Sequence, residues 1–467
     1  MNVNIDNIEY VYFIGIGGVG MSALARYFHA EGKAVSGYDR IASPIALNLV
    51  DEGIDVHYTD DPSLIPSVLL GLDKEKVLIV YTPAVPSDHK ELGYFLTNGY
   101  DVCKRAKVLG DICKERFTIA VAGTHGKTTV SSIAAHILKT AEHDFAAFLG
   151  GISSNYDSNF IFSKTGKHIL AEADEYDKSF LNLRPDIALI TSVDPDHLDI
   201  YGEVGHMQET YLEFLSQVQD NGKVILSKRA AKGLDRTVLN SSSAIYSVEN
   251  AGDFYAHSVQ IENGKYRFSI ETPKGAINDV VLGLPGRHNV ENAVAAVAIS
   301  VFMDVDLDVC RAALSSFRGV KRRFEYQVFT EKLVYIDDYA HHPEELKASI
   351  QSARELFPGK HIKGVFQPHL YSRTKDFHIG FAETLSLLDS VVLLEIYPAR
   401  EKPIEGVSSK MIYDQITLSN KEIIEKDELI EKLDLSDTDV LMTLGAGDID
   451  SLVKPLKNKL HELVGEG

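Results

Sequence analysis

Residues 117–129 read FTIAVAGTHGKTT, an apolar strand that runs into a glycine turn ending in Gly126-Lys127-Thr128. After the turn, apolar side chains recur at the i, i+3, i+4, i+7 spacing of one helix face. These side chains are Val130, Ile133, Ala134, Ile137, Leu138 and Ala141. A strand, a Gly-Lys-Thr turn and a helix make a P-loop, whose backbone N–H groups hold phosphate oxygens. The stretch therefore predicts a nucleotide site on an α/β fold.

Two residues of this loop have predicted chemical roles. Lys127 brings positive charge to the terminal phosphates, and Thr128 offers a hydroxyl to Mg²⁺. The general pattern has glycine five positions before Gly126, whereas this chain has Val121. We expect Gly123 to open the turn instead.

The same alternation of apolar strand, glycine turn and amphipathic helix begins again at two other places, Tyr10 and near Val320. Such alternation predicts parallel sheets covered by helices, and 467 residues fit about three domains. We predict α/β domains over residues 1–104, 105–319 and 320–467. Shorter alternating strands between about Ala244 and Leu284 predict a small added sheet in the central domain.

A second glycine loop, GIGGVG at residues 15–20, lies between the first predicted strand and helix. Asp39 follows 19 residues after Gly20, at the end of the next strand. This pattern indicates a pyrophosphate on the helix N-terminus and an acid on a ribose hydroxyl. It does not distinguish a dinucleotide from a nucleotide sugar, and a tight turn without ligand is the alternative.

Composition excludes several classes of protein. The 47 Lys and Arg against 67 Asp and Glu give a net charge of −20, which argues against nucleic acid as a partner. Three widely spaced cysteines predict neither a disulfide framework nor a paired metal motif. The N-terminus lacks the pattern of a signal peptide, and no apolar run is long enough for a membrane span. We expect a cytoplasmic protein with no membrane partner.

Polar side chains follow two strands of the predicted central sheet. Glu172 lies near the end of the predicted strand HILAEAD, and His197 follows the predicted strand DIALITSV. Because parallel strands place their ligands at one sheet edge, a magnesium site beside the P-loop is expected there. The acids Asp174, Glu175 and Asp177 have a simpler interpretation as a solvated acidic turn.

The segment GRHNVENA enters another predicted helix. Asn292 could hydrogen-bond a base edge and His288 could stack on it. Both residue types also cap helices, so capping is the alternative.

The third domain carries basic and imidazole groups at predicted strand ends. They are Arg322, Arg323, His369 and Arg373. Arginine grips phosphate or carboxylate bidentately, so these residues suggest a second anionic substrate. Any one of them could instead form a surface salt bridge.

The motifs AGTHGKTT, EADE, DHLD, GRHNVENA, RRFE, DDYAHHP and QPHLYSR, in this order, resemble the Mur ligase family. These are ATP-dependent amide-forming enzymes of peptidoglycan synthesis. The resemblance covers essentially the whole chain. The stretch GIGGVGMSALA and the motif DDYAHHP resemble the branch that adds the first amino acid, L-alanine, to UDP-N-acetylmuramate.

The resemblance implies a Rossmann-like N-terminal domain for the UDP-sugar, a central P-loop domain for ATP and a Rossmann-like C-terminal domain for the amino acid. The implied UDP-sugar residues are Gly15, Gly17, Gly18, Gly20, Met21, Ser22 and Asp39. The implied ATP residues are Gly123, Thr124, His125, Gly126, Lys127, Thr128, Thr129, His288, Asn292, Arg322, Arg323 and Asp338. Those implied for the amino acid are Tyr339, His369 and Arg373.

The resemblance also implies two Mg²⁺ ions, held with the help of Thr128, Glu172 and His197. The implied catalytic residues are Lys127, Arg323, His369 and Arg373. Other branches carry a lysine, carbamylated and supporting the magnesium site, on the helix after DHLD. Here no lysine lies between Lys178 and Lys223, and Tyr211 stands near that place.

Three alternatives remain open at this point. A sibling ligase that attaches a recycled peptide to the same UDP-sugar would share nearly every motif. An NAD-dependent oxidoreductase would use the first loop and leave Lys127 without a role. A P-loop switch that only hydrolyses ATP would leave the C-terminal His and Arg residues unexplained.

Overall fold

The computed structural model of the chain describes residues 5–194, 204–234, 243–248, 251–262, 265–399 and 401–465. The chain divides into two compact units. The first contains residues 1–257, 269–278 and 291–317, and the second contains 258–268, 279–290 and 318–467.

The strands and helices of the described residues follow one another in α/β order. The strands are β1 Tyr10–Ile14, β2 Ala34–Tyr38, β3 Asp55–His57, β4 Val77–Tyr81, β5 Asp101–Lys104, β6 Phe117–Ala122, β7 Phe145–Ser153, β8 Ser158–Phe162, β9 His168–Glu172, β10 Ile187–Ile190, β11 Lys223–Ser227, β12 Ser243–Ser247, β13 Phe254–Glu262, β14 Lys265–Thr272, β15 Gly275–Leu282, β16 Glu325–Phe329, β17 Val334–Asp338, β18 Ile362–Phe366, β19 Ser390–Leu393, β20 Lys421–Ile423 and β21 Val440–Leu444. The α-helices are α1 Val19–Ala30, α2 Pro44–Asp51, α3 Ser67–Leu70, α4 Lys90–Thr97, α5 Arg105–Cys113, α6 Lys127–Thr140, α7 Val204–Ser216, α8 Lys228–Gly233, α9 Arg287–Phe302, α10 Leu307–Ser316, α11 Pro343–Leu356, α12 Tyr371–Leu385, α13 Lys410–Gln415, α14 Leu429–Lys432 and α15 Val453–Val464. Short 3₁₀ helices span Ile5–Asn7, Pro62–Leu64, Lys74–Lys76, Tyr176–Asn182, Lys426–Glu428 and Asp448–Leu452.

The N-terminal sheet has the strand order β3-β2-β1-β4-β5, with every neighbouring pair parallel. All five residues of the central strand β1 are buried, as its uninterrupted apolar sequence requires of a strand covered on both faces. The glycine loop follows β1 directly and leads into α1. This is the predicted Rossmann-like domain.

The central sheet has the order β15-β14-β13-β12-β11-β10-β6-β9-β7-β8. The P-loop strand β6 lies between β10 and β9 and is parallel to both. The strands predicted as a small added sheet are β12 to β15, and they continue the central sheet. β12 joins the central sheet by pairing parallel to β11, with Ile225 opposite Ala244, and a short parallel pairing of Tyr246 with Phe254 joins β13 to β12.

The N-terminal and central segments share one core within the first unit. Buried side chains of β1 and α1 belong to the same apolar cluster as those of β6 and β9. The buried amide of Asn159 in β8 accepts a hydrogen bond from Arg26 (2.5 Å) and donates to Ser22 Oγ (2.9 Å) of α1. Both glycine loops therefore belong to one compact unit.

The C-terminal sheet has the order β16-β17-β21-β18-β19-β20. Its pairs are parallel except that β16 runs antiparallel to β17. The stretches KLVYIDDYA, IKGVFQPH, SVVLLEIYPA and DVLMTLGAGD, which the apolar pattern predicts as strands, contain β17, β18, β19 and β21, so the Rossmann-like prediction is confirmed. The domain boundaries at 104/105 and 319/320 stay predictions.

Candidate active site

The P-loop follows β6 and needs glycine at two positions. Gly123 has a φ of +127°, and Gly126, which precedes α6, has a φ of +83°. A Cβ on Gly123 would lie 2.1 Å from Thr191 Oγ1 and 2.8 Å from the backbone N of Ser192. Only glycine fits there, which explains why this loop opens at Gly123 rather than at Val121.

Side chains that follow the neighbouring strand β10 hold the loop from one side. Thr124 Oγ1 and Ser192 Oγ share a hydrogen bond of 2.7 Å, and His125 N–H donates to the same Ser192 oxygen at 3.0 Å. The Thr191 hydroxyl donates to the His125 carbonyl. Sequence reasoning missed Thr191 and Ser192, although hydroxyl residues directly after a buried strand were a visible signal.

Lys127 is bound to a buried carboxylate. Its ammonium donates to the Gly123 carbonyl at 2.6 Å and to Glu175 Oε1 at 2.9 Å, and it forms an ion pair with Glu175 Oε2 at 2.8 Å. Burial alone would lower the pKa of Lys127, but the carboxylates of Glu175 and Asp174 outweigh it and raise the pKa. Burial raises the pKa of Glu175 to about 7. With 1% of its surface exposed, Glu175 does not belong to a solvated turn.

Thr128 and Glu172, the two predicted magnesium ligands within the described residues, are hydrogen-bonded to each other. Thr128 Oγ1 donates to Glu172 Oε1 at 3.1 Å, and Gly150 N–H donates to Glu172 Oε2 at 2.9 Å. A hydroxyl and a carboxylate oxygen are suitable Mg²⁺ ligands, since Mg²⁺ takes few protein oxygens and keeps water and phosphate as the rest. The residues present therefore fit the ion.

The third predicted magnesium residue, His197, lies outside the described residues. Across the ranges that the structure covers, no group of three or more His, Cys, Asp and Glu side chains is placed to hold a metal ion. Tyr211, near the place of the carbamylated lysine of other branches, is buried and packs edge-on against Phe180 at 5.4 Å.

Asn292, predicted to contact adenine, lies against the P-loop. A Cβ on Gly126 would lie 2.8 Å from Asn292 Oδ1. The other adenine residue, His288, belongs to the second unit. Burial, Arg323 and the opposing effect of Glu345 together lower the pKa of His288 to about 4, so the ring is neutral at pH 7.

The N-terminal glycine loop is held by backbone and by Asp39. Gly17 N–H donates to Asp39 Oδ2 at 2.8 Å, and Ile41 N–H donates to Asp39 Oδ1 at 3.1 Å. The side chains of Met21 and Ser22 are buried, so any contact of these two with a ligand uses their backbone. The helix N-terminus itself supplies the N–H groups for a diphosphate.

The two neighbouring arginines of the third domain differ. Arg322 Nε donates to Asp337 Oδ2 at 3.1 Å, and Arg322 Nη2 donates to the Gly445 carbonyl at 2.7 Å. Both guanidinium groups lie 5.2 Å from the Tyr339 ring centre, but Arg323 has its ion pair with Glu345, at 3.7 Å. Because its carboxylate partner is fully buried, Arg322 is tied into the sheet, whereas Arg323 has the weaker ion pair.

The predicted amino-acid residues Tyr339 and His369 are linked through His341. The Tyr339 and His341 ring centres are 5.2 Å apart, and those of His341 and His369 are 6.0 Å apart. Arg373 lies in the first turn of α12. Asp338 is buried, accepts a 2.7 Å bond from Ser349, and has a pKa raised to about 6 by burial.

This site and fold define a class, the P-loop α/β proteins that bind a nucleotide beside a hydroxyl–carboxylate pair suited to magnesium. Family comparison makes the assignment narrower. Residues 10–117 match the Mur ligase family catalytic domain, 121–300 the Mur ligase middle domain and 322–447 the Mur ligase glutamate ligase domain. The chain belongs to the Mur ligase family, whose members are ATP-dependent amide-forming ligases.

Individual relatives match over nearly the full length. The UDP-N-acetylmuramate--L-alanine ligase of Porphyromonas gingivalis W83 is 50% identical over 458 residues, which cover 98% of this chain and all of that protein. The protein of the same name from Flavobacterium johnsoniae is 48% identical over 461 residues, with the same coverage. The crystal structure of the UDP-N-acetylmuramate-alanine ligase of Thermotoga maritima matches with a TM-score of 0.81 at 26% identity, covering 97% of this chain and 99% of that one.

Within the described ranges, no helix is both long enough and apolar enough to cross a bilayer.

Proposed function

We propose that this chain joins L-alanine to the lactyl carboxylate of UDP-N-acetylmuramate in an ATP-dependent reaction. The products are UDP-N-acetylmuramoyl-L-alanine, ADP and phosphate, and the step belongs to peptidoglycan precursor synthesis. The observation that carries the reaction type is the P-loop lysine beside the Thr128–Glu172 oxygen pair. The substrates follow from full-length relatives at 48–50% identity that bear this name.

The chemistry explains why a phosphate-transfer site is needed for an amide bond. A carboxylate is a poor electrophile and does not condense with an amine in water. Transfer of the γ-phosphoryl of ATP gives an acyl phosphate, the amine of L-alanine attacks its carbonyl carbon, and phosphate leaves. The first step brings two anions together, so positive charge must be fixed between them.

Residues of the first unit would supply most of that charge. The N–H groups at the start of α6 and the Lys127 ammonium would bind the β- and γ-phosphates. Thr128 and Glu172 would hold one Mg²⁺, and His197 would help to hold a second. Magnesium, when bound, neutralises phosphate charge and polarises the phosphoryl oxygens. Asn292 would contact adenine.

Residues of the second unit have complementary roles in this proposal. Arg323, with Arg322 fixing the backbone beside it, would neutralise the terminal phosphate. His288 would contact adenine and Asp338 the ribose side. Tyr339, His369 and Arg373 would surround L-alanine or the acyl phosphate; Arg373 suits the alanine carboxylate because a guanidinium binds carboxylate bidentately. His369 and Arg373 would be catalytic residues of this unit, together with Arg323.

The proposed location is the cytoplasm, where ATP and UDP-sugars are available. Cys103, Cys113 and Cys310 are all buried free thiols, which suits a reducing compartment.

Phosphate release from Mg-ATP by the purified protein with UDP-N-acetylmuramate tests the proposal. The reaction is run without amino acid, with L-alanine and with the tripeptide L-Ala-γ-D-Glu-meso-diaminopimelate. Release that depends on L-alanine, with a product heavier by one alanyl residue, is the expected result. Release only with the tripeptide would assign the recycling reaction instead, and release without any amine would assign an ATPase switch.

A further inference from the structure

Arg105, the first residue of α5, lies between the N-terminal glycine loop and the acidic loop that follows β9. Its side chain is 22% exposed. A Cβ on Gly20, in the first turn of α1, would lie 2.8 Å from Arg105 Nη1 and 3.1 Å from its Cζ. On its other side the guanidinium lies 3.8 Å from the carboxylate of Asp174, in the acidic loop after β9.

Arg105 also lines an open cleft that reaches the magnesium residue. The cleft is shallow, with about 10 Å³ of space, which is room for about one water molecule. Arg105, Glu172, Asp174 and Ser179 are on its polar side, and Phe180 is among its apolar residues. The cleft therefore runs from the neighbourhood of the first glycine loop to Glu172.

The contacts that Arg105 makes within the protein do not by themselves require an arginine. An ion pair of 3.8 Å to a carboxylate that is 41% exposed stabilises a fold by about 0–1 kcal/mol. The close approach to Gly20 instead brings the planar guanidinium to the helix end whose N–H groups suit a diphosphate. Any side chain at position 20 would push Arg105 away from that place.

We propose that Arg105 binds the diphosphate of the sugar nucleotide, together with the N–H groups at the start of α1. Asp174 holds the guanidinium until the diphosphate replaces that weak partner. The assignment rests on the proposed function for the identity of the ligand, and it gives the first loop the fixed cation that its own sequence lacks.

Isothermal titration of UDP, UDP-N-acetylmuramate and Mg-ATP into wild-type protein, Arg105→Ala and Arg105→Lys tests this role. A charge-assisted bidentate contact predicts about 10- to 100-fold weaker binding of both UDP and UDP-N-acetylmuramate to Arg105→Ala. Arg105→Lys should lose less affinity for UDP and UDP-N-acetylmuramate, because lysine keeps the positive charge but cannot form the bidentate contact of a guanidinium. Binding of Mg-ATP should not change in either variant.

Lys107→Ala is the matched control, since it removes one positive charge from the same helix. Lys107 bonds Asp111 within α5 and does not line the cleft. It should bind UDP and UDP-N-acetylmuramate like the wild type. Unchanged UDP affinity in both Arg105 variants would overturn the proposal. So would a loss confined to UDP-N-acetylmuramate, which would move the contact to the lactyl carboxylate.

The outcomes separate this inference from the proposed function. If Arg105→Ala also loses Mg-ATP binding, the comparison is made on Arg105→Lys, whose UDP affinity must still fall. If wild-type protein binds UDP through Arg105 but releases no phosphate with L-alanine, the ligation fails while the diphosphate contact stands. If L-alanine-dependent release is found but Arg105 has no effect on UDP, only the present inference fails.

Discussion

The two glycine loops of the first unit each join a buried strand to a helix, but their electrostatics are opposite. In the N-terminal loop, Gly17 N–H donates to the Asp39 carboxylate, which belongs to the same Rossmann-like domain. In the P-loop, the Lys127 ammonium donates to the buried Glu175 carboxylate. One loop is organised around an acid that binds its backbone, and the other carries its own cation held by an acid.

The difference shows why one protein has both loops. A loop with a lysine can stabilise a phosphate whose charge changes during reaction, because the cation is already held where that charge develops. A loop of backbone N–H groups and a fixed acid suits a diphosphate that is only held in place. We therefore expect the P-loop to determine turnover and the first loop to determine substrate affinity.

The largest effect is expected from Lys127→Ala. Turnover should fall by more than about 1,000-fold, since one preorganised donor to a developing charge contributes about 10²–10³ and this one carries a full charge. Binding of UDP-N-acetylmuramate, measured by titration, should stay within about threefold. Full ligase activity in the variant would contradict the P-loop assignment.

Gly123→Ala should unfold the P-loop region. The new Cβ would lie 2.1 Å from Thr191 Oγ1 at a φ that side chains rarely adopt, which together cost about 2–6 kcal/mol. The loss of stability is measured by thermal unfolding, and the damage to the loop by ATP binding. The control is Gly18→Ala in the first loop, where φ is −67° and the nearest atom is 3.5 Å away. That variant should keep its unfolding temperature; equal losses in both would contradict the steric argument.

Glu175→Gln tests the pairing of Lys127. At pH 8, loss of the buried carboxylate should lower the free energy of unfolding by about 3 kcal/mol, because it leaves the ammonium without its charge partner. Mg-ATP should restore more stability to this variant than to the wild type, since phosphates replace the lost charge. Asp174→Asn removes a half-exposed acid and is the control. A variant as stable as the wild type at pH 8 would show that the pair contributes little.

Glu91 is a second buried glutamate, in the N-terminal domain, and its Oε1 lies 3.5 Å from His57 Nε2. Burial raises its pKa to about 7, against a hydrogen bond from Tyr12 that lowers it. The folded-state pKa lies above the unfolded value, so its contribution to stability is present below about pH 4.5 and is lost as pH rises through 7. Between pH 4.5 and 8, Glu91→Gln should gain up to about 3 kcal/mol relative to the wild type in urea unfolding. Parallel stability curves would contradict this.

Asp39→Ala should have the smallest effect, about tenfold weaker binding of UDP-N-acetylmuramate. The Gly17 and Ile41 N–H groups lose their acceptor, and the loop loses its fixed shape. Asp39→Asn keeps one acceptor oxygen and should lose less affinity for UDP-N-acetylmuramate. Titration with Mg-ATP should show no change in either variant. A larger effect on ATP than on the UDP-sugar would reverse the assignment of the two loops.

Local sequence was sufficient for much of the fold. The strand FTIAVA is β6 over Phe117–Ala122, and YVYFI is β1 over Tyr10–Ile14. Such strands are predictable because burial on both faces demands an uninterrupted apolar run. The edge strands β16 and β20 were not predicted, because short strands exposed at a sheet edge carry little pattern.

The candidate site was predictable in part. Thr128 and Glu172 were expected to share a magnesium site, and the structure brings their oxygens within 3.1 Å. Glu175 was weighed as part of a solvated turn, although it is buried against Lys127. A run of acids gives no sign of which carboxylate points inward, because burial depends on what packs over it.

The sequence by itself determined the two glycine loops, the order of the motifs and the family, since these depend on residues adjacent along the chain. Tertiary structure alone decided which distant groups reach those loops. Ser192 supports the P-loop from the end of β10, and Arg105 meets Gly20 from the start of α5. These contacts join residues 67 or more positions apart, so they follow from strand order and helix packing, which no local pattern records.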